Sequence, residues 1–248
     1  MITLEDIVEN KSDAISFRLR DSIRFYALLK HLEQVCGGYH LLCDCSGRQI
    51  WPQRGVYFFC ENGEYRTDTG MGPRIVRVGT HALTNGSHTT LWTRLAQHKG
   101  VTKTGGGNHR GSIFRLIVGQ ALIQKYGYEY ENWGNGPSAS AAIRKSEEKL
   151  EKEVSFYIDK MPFLWIGIDD KPSPASLRGY IEKNSIALLS NFNKPLIDPP
   201  SNNWLGRYSN RAKVRDSGLW NQNHVEETYD PAFLNVLGRL ISNAGRKA

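Results

Sequence analysis

Apolar residues recur at Ile15, Leu19, Ile23, Tyr26, Leu29 and Leu32 with basic residues between them. Steps of three and four place them on one face, which predicts an amphipathic helix over residues 13–34. Gly37 and Gly38 stop it, and "YHLLCDCSGRQIWP" reads as a short strand and a turn. From Val56 to Cys60 nearly every side chain is β-branched or aromatic, whereas residues 74–80 alternate basic with aliphatic. Both stretches predict strands joined by a turn-rich loop, the first the more buried of the two.

The pattern then turns helical. Residues 91–99 predict a short helix capped by Ser87, Thr89 or Thr90, with Arg94 and His98 four apart on one face. A loop "TKTGGGNHRGS" leads into a helix over residues 112–126. A longer charged helix spans residues 140–158 with Ile143, Leu150, Val154 and Ile158 as its apolar stripe. "PFLWIGI" lacks alternation, which predicts a strand covered on both faces. The next helix has Ser173 as expected cap, Pro174 at its first position and Glu182 about two turns in. After a polar, turn-rich stretch, Asp230 and Pro231 open a last helix. This order predicts an α+β fold: a small, three-stranded, mainly antiparallel sheet flanked by helices.

Composition changes this picture little. The 248 residues are 40% hydrophobic and 23% charged, enough for a sizeable core, and the net charge of +7 points to an anionic partner. No apolar run is long enough to cross a bilayer and the first residues show no signal-peptide pattern, so a soluble cytoplasmic protein is expected. Cys36, His40, Cys43 and Cys45 carry zinc-type donors, but all lie within ten residues rather than in two separated clusters. Ordinary buried or strand-edge cysteines are the expected reading.

Four features together carry chemistry: "GVY" at residues 55–57, "RVG" at 77–79, the helix bearing Arg94 and His98, and Glu182 on the helix after the third strand. In this order the chain resembles the GIY-YIG nucleases, most closely their restriction-endonuclease branch, in which Arg and His also stand four apart. The resemblance implies a core over residues 55–203, with an N-terminal extension over 1–54 and a C-terminal one over 204–248. It also implies Mg²⁺ (or Mn²⁺) dependence, double-stranded DNA as substrate, and 5′-phosphate and 3′-hydroxyl products.

Residue by residue, the resemblance makes Tyr57 the group that takes a proton from the attacking water. A phenol is a poor base unless a metal or cation favours its ionised form. Arg94 holds a phosphate oxygen through its planar guanidinium, Glu182 anchors the metal, and His98 orients the tyrosine or acts on the leaving group. Arg77 stands where the family has a second tyrosine, and contacts phosphate or leaves the water to His98 or Lys99. The family's late asparagine is placed at Asn203 or Asn221, with Asn221 favoured.

Each residue also has a plainer reading: a packed strand tyrosine, a solvated Arg94/His98 face, an Arg178–Glu182 surface pair. DNA contacts are expected from His109 and Arg110 in the glycine loop, and from Arg115 and Arg207, unless that loop is simply flexible. The N-terminal helix is a candidate dimerisation or DNA-wrapping arm, since palindromic targets demand a two-fold homodimer.

Overall fold

The computed structural model describes residues 4–101, 104 and 106–246, with side chains described from Phe17 onward. The glycine loop is therefore described only in part, Gly105 lying outside it, as does the Ile15 side chain. Four strands form one antiparallel sheet: β1 (His40–Leu41), β2 (Gly55–Tyr65), β3 (Pro73–Gly79) and β4 (Pro162–Gly167), in the order β1-β4-β2-β3. The fold is α+β as the pattern predicts, with one strand more. The fourth, β1, lies in the stretch read as a short strand and a turn; it is two residues long and joins the sheet by pairing His40 with Phe163.

Seven α-helices surround the sheet among the described residues: α1 (Leu4–Cys36), α2 (Leu91–Lys99), α3 (Ile113–Tyr126), α4 (Ala141–Asp159), α5 (Leu177–Leu189), α6 (Ala212–Ser217) and α7 (Phe233–Gly245). Alternation along β2 sends Tyr57 and Phe59 to one face, against α2, α3 and α4, and Val56, Phe58 and Cys60 to the other, against α1, α5 and α7. Both faces are covered, which is why β2 is apolar at consecutive positions. Each fully buried large apolar side chain contributes roughly 1.5–3 kcal/mol.

β3 is as buried as β2, contrary to expectation, because its arginines lie inside with partners. Arg74 pairs with Glu64 at 2.5 Å and donates to the Gly218 carbonyl at 2.6 Å. The buried face of α1 is also displaced from the predicted stripe: Ile23 is exposed, while Arg18, Ser22, Phe25, Tyr26, Leu29 and Leu32 are buried. Arg18 is accepted inside because its guanidinium meets the carbonyls of Leu188, Pro195 and Ser190.

The outer edge of β3 is closed by residues 220–221. Trp220 N–H donates to the Val76 carbonyl at 2.7 Å, and the Asn221 amide exchanges hydrogen bonds with the backbone of Val78 at 2.8 and 3.2 Å. Residues on both sides of the 55–203 segment thus complete its sheet. No helix among the described residues is long and apolar enough to cross a membrane.

Candidate active site

Tyr57 sits on β2 directly opposite Gly79 of β3. A Cβ at residue 79 would lie 2.4 Å from the tyrosine oxygen, so glycine there lets the phenol lie across the neighbouring strand. This gives the "RVG" signature a steric reason. Thr90 caps α2 by accepting the Thr93 N–H at 3.1 Å, which fixes the helix against the sheet. His98, fully buried on its inner face, meets the Tyr57 oxygen through Nε2 at 2.8 Å, while its Nδ1 lies 2.8 Å from Ser112 Oγ.

Tyr57 forms the floor of a cleft of about 430 Å³ whose walls include Arg77, Arg94, Glu182 and Asn221. Arg77 is 5% exposed, stacks its guanidinium 4.6 Å from the Phe114 ring centre and donates to the Trp220 carbonyl. Its charge faces Tyr57 and Glu182; burial lowers its pKa, but an arginine keeps its charge. Arg94 donates through Nη1 to Gln97 Oε1 at 3.0 Å and the Gly111 carbonyl at 3.2 Å, steadying the side chain at the cleft.

Glu182, half-buried on α5, accepts the Thr80 N–H at 3.1 Å. Desolvation pushes its carboxyl up, against the pull of Arg77 and His224. His98 is driven well below the usual imidazole range by burial and by Arg94, Arg77 and Arg115, and so is neutral.

The plain reading of Glu182 as a partner of Arg178 does not hold. Arg178 pairs instead with Asp170 and donates to the Ala82 carbonyl at 3.0 Å, holding Ala82 at φ 55° on the cleft wall. The cap of α5 is Ser176 rather than Ser173, since Ser176 Oγ accepts the Gly179 N–H. Lys99 is spent on the carbonyls of Cys43 and Cys45, away from the cleft. Asn221 lines the cleft and Asn203 does not.

The expected DNA-contacting residues lie elsewhere. His109 is 1% exposed, stacked 3.8 Å from the Trp133 ring and 2.9 Å from Glu151 Oε1 through Nδ1. Arg115 is buried on Glu151 Oε2 at 2.5 and 3.0 Å and also donates to the His98 carbonyl at 2.9 Å. Arg110 grips Glu147 at 2.6 and 2.9 Å, and Arg207 donates to the carbonyls of Ser201 and Pro200.

The reason is α4. Its inner face carries Glu147 and Glu151 four apart, beside Leu150, Val154 and Ile158, while the predicted Ile143 is only half-buried. Gly107 supplies passage rather than looseness, since a Cβ there would meet the Arg115 guanidinium at 2.2 Å.

The sequence pattern did not single out Thr80, His81, Gln97, Gln222, Asn223 or His224, all of which line the cleft. His224 carried one signal only, its place three residues after the favoured asparagine. Among the described residues no group of three or more His, Cys, Asp or Glu side chains is placed to hold a metal, and Cys36 donates its thiol to the Trp165 carbonyl instead.

A strand tyrosine crossing a glycine, an Arg/His helix and a carboxylate on the helix after the third long strand thus meet in one cleft. The family model described as "GIY-YIG domain" matches residues 16–247. The chain belongs to the GIY-YIG family. That membership supports an endonuclease acting on DNA, in a family whose enzymes generally use divalent metal ions. No curated protein and no solved structure matches the chain.

The single carboxylate suits Mg²⁺ or Mn²⁺ better than a metal needing an all-protein cage. Mg²⁺ keeps several waters and takes one or two carboxylates together with substrate phosphate oxygens. Glu182, desolvated and facing the cleft, has the chemistry to favour a cation beside it.

Proposed function

We propose that the protein is a Mg²⁺-dependent DNA endonuclease of the type II restriction class, acting in the cytoplasm. The observation that carries the reading is the convergence of Tyr57, Arg77, Arg94 and Glu182 on one cleft. The restriction class is favoured by the spacing of Arg94 and His98 on one helix, with His98 bonded to Tyr57.

Phosphodiester hydrolysis must supply an activated water, neutralise charge gathering on the phosphorus oxygens and stabilise the departing 3′ oxygen. Tyr57 takes the proton of the attacking water. Arg94 and Arg77 hold the non-bridging oxygens of the scissile phosphate. Arg77 thereby replaces a second tyrosine with a fixed positive charge against the same substrate atoms. Asn221, tied to Val78, holds the cleft wall at β3. Glu182 would hold the metal ion, which when bound neutralises phosphate charge and stabilises the leaving oxygen.

The test is supercoiled plasmid incubated with protein and Mg²⁺, Mn²⁺ or EDTA, beside Glu182→Ala. Discrete metal-dependent fragments ending in 5′-phosphate and 3′-hydroxyl are expected. Cutting confined to branched or damaged DNA would replace restriction with repair, and wild-type cutting by Glu182→Ala would remove that residue from the site.

A further inference from the structure

Two glutamines line the cleft, Gln97 on α2 and Gln222 just beyond the pair that closes the β3 edge. Which end of such an amide points where is decided by its partner. Arg94 Nη1 donates to the Gln97 side chain at 3.0 Å, and Arg211 Nη1 donates to that of Gln222. A guanidinium offers N–H donors and no acceptor, so the amide atom facing it is the carbonyl oxygen in both residues. Arg211 is itself held by Gln120 Oε1 at 3.1 Å, which anchors its grip on Gln222 to α3.

Both amide nitrogens are thereby left over. Among the described residues neither Nε2 makes a hydrogen bond, and neither is one of the buried polar atoms without a partner, so both stay accessible. The cleft therefore carries two neutral N–H₂ groups, each close to an arginine of the site. Gln97 follows Arg94 by three residues on α2, a step of about 5–6 Å along one helix face. Gln222 follows by two residues the Trp220 carbonyl that receives Arg77.

We infer that Gln97 and Gln222 are DNA-binding residues whose amide nitrogens donate to non-bridging oxygens of the phosphates flanking the scissile one. The inference rests on the nuclease reading, in which Arg77 and Arg94 already hold the scissile group. A phosphate oxygen only accepts, which matches a group left with only N–H to offer, and glutamine amides are regular phosphate contacts. Being neutral, the two amides position the strand without displacing counterions. They add affinity and no salt dependence.

The deciding measurement is the Kd of the intact protein for short duplexes of unrelated sequence, in EDTA and again in Ca²⁺, across a range of salt concentrations. Gln222→Met and Gln97→Met should each bind every duplex about tenfold more weakly, with the wild-type slope of log Kd against log salt. Gln222→Glu keeps the acceptor for Arg211 but removes the donor. It should melt no lower than wild type and bind more weakly than Gln222→Met. Wild-type affinity in these variants overturns the inference, and a loss confined to one sequence would put a base edge where the phosphate is proposed.

Cleavage does not enter these measurements. A protein that grips every duplex through both glutamines and cuts no DNA would leave the inference standing and refute the nuclease reading. A nuclease whose glutamine variants bind normally would do the reverse. A folded protein with no affinity for any duplex would overturn both.

Discussion

The Tyr57 oxygen and His98 Nε2 lie 2.8 Å apart in the interior, one on the central strand and the other on a helix capped by Thr90. This contact joins the sheet to α2 and holds the phenol at the floor of a cleft whose walls carry two arginines and a carboxylate.

Gly79 should be intolerant of any side chain for a reason specific to this contact. A Cβ at 2.4 Å from the tyrosine oxygen forces the ring off His98. Gly79→Ala is expected to reduce cleavage by about a hundredfold or more, the scale of a lost general base. Steady-state kinetics alongside a thermal melt checks this, since a fall in activity matched only by unfolding would contradict it.

Arg94 and Arg115 should separate function from stability. Arg115 is buried on Glu151, so Arg115→Ala removes the guanidinium partner of a buried carboxylate that keeps only His109, and should cost about 3–5 kcal/mol in denaturant unfolding. Arg94→Ala should leave the melt nearly unchanged and cut kcat by roughly 10²–10³-fold. The reverse pattern would mean that the cleft has been assigned to the wrong side chains.

Glu182 makes stability depend on pH in a defined direction. Its folded pKa is raised by desolvation, so the folded state holds a proton more tightly than the unfolded chain. Stability is therefore lost as pH rises from the unfolded carboxyl value through the raised folded one. Without metal, Glu182→Gln should raise Tm at neutral pH, and the gain should vanish below the unfolded carboxyl range. A neutral-pH Tm unchanged or lowered by the substitution would show that the carboxylate carries no such burden.

Arg77 replaces the expected second tyrosine, and its buried position makes the consequence testable. Arg77→Met keeps the stem over Phe114 but removes the charge facing Tyr57 and Glu182. Cleavage should fall by about 10²-fold or more with the fold retained. Unchanged cleavage would show that the phosphate is held without it.

The long elements were legible because their periodicity is set by burial: β3, β4, α2, α3 and α4 lie within about a residue of the ranges read from spacing, whereas β2 starts as read but runs on past Cys60 to Tyr65. Tyr57, Arg94 and Glu182 were legible as a set because each occupies a signature position on a recognisable element. The surroundings of several charged residues were not legible. His109, Arg110 and Arg115 read as a basic loop because the sequence does not display Glu147 and Glu151, some forty residues later, turning inward beneath them. Spacing likewise did not separate Ser173 from Ser176 as a cap, since both precede the same helix and only the Gly179 hydrogen bond decides. Ser112 was read as the start of a helix; its contact with His98 needs the fold.

The most direct test of the central claim is single-turnover cleavage of a short duplex bearing the protein's own target site, started by Mg²⁺, comparing wild type with Tyr57→Phe at equal folded concentration. Loss of the hydroxyl should leave duplex binding intact and slow the chemical step by about 10²–10⁴-fold. Cleavage by Tyr57→Phe at the wild-type rate would contradict the account.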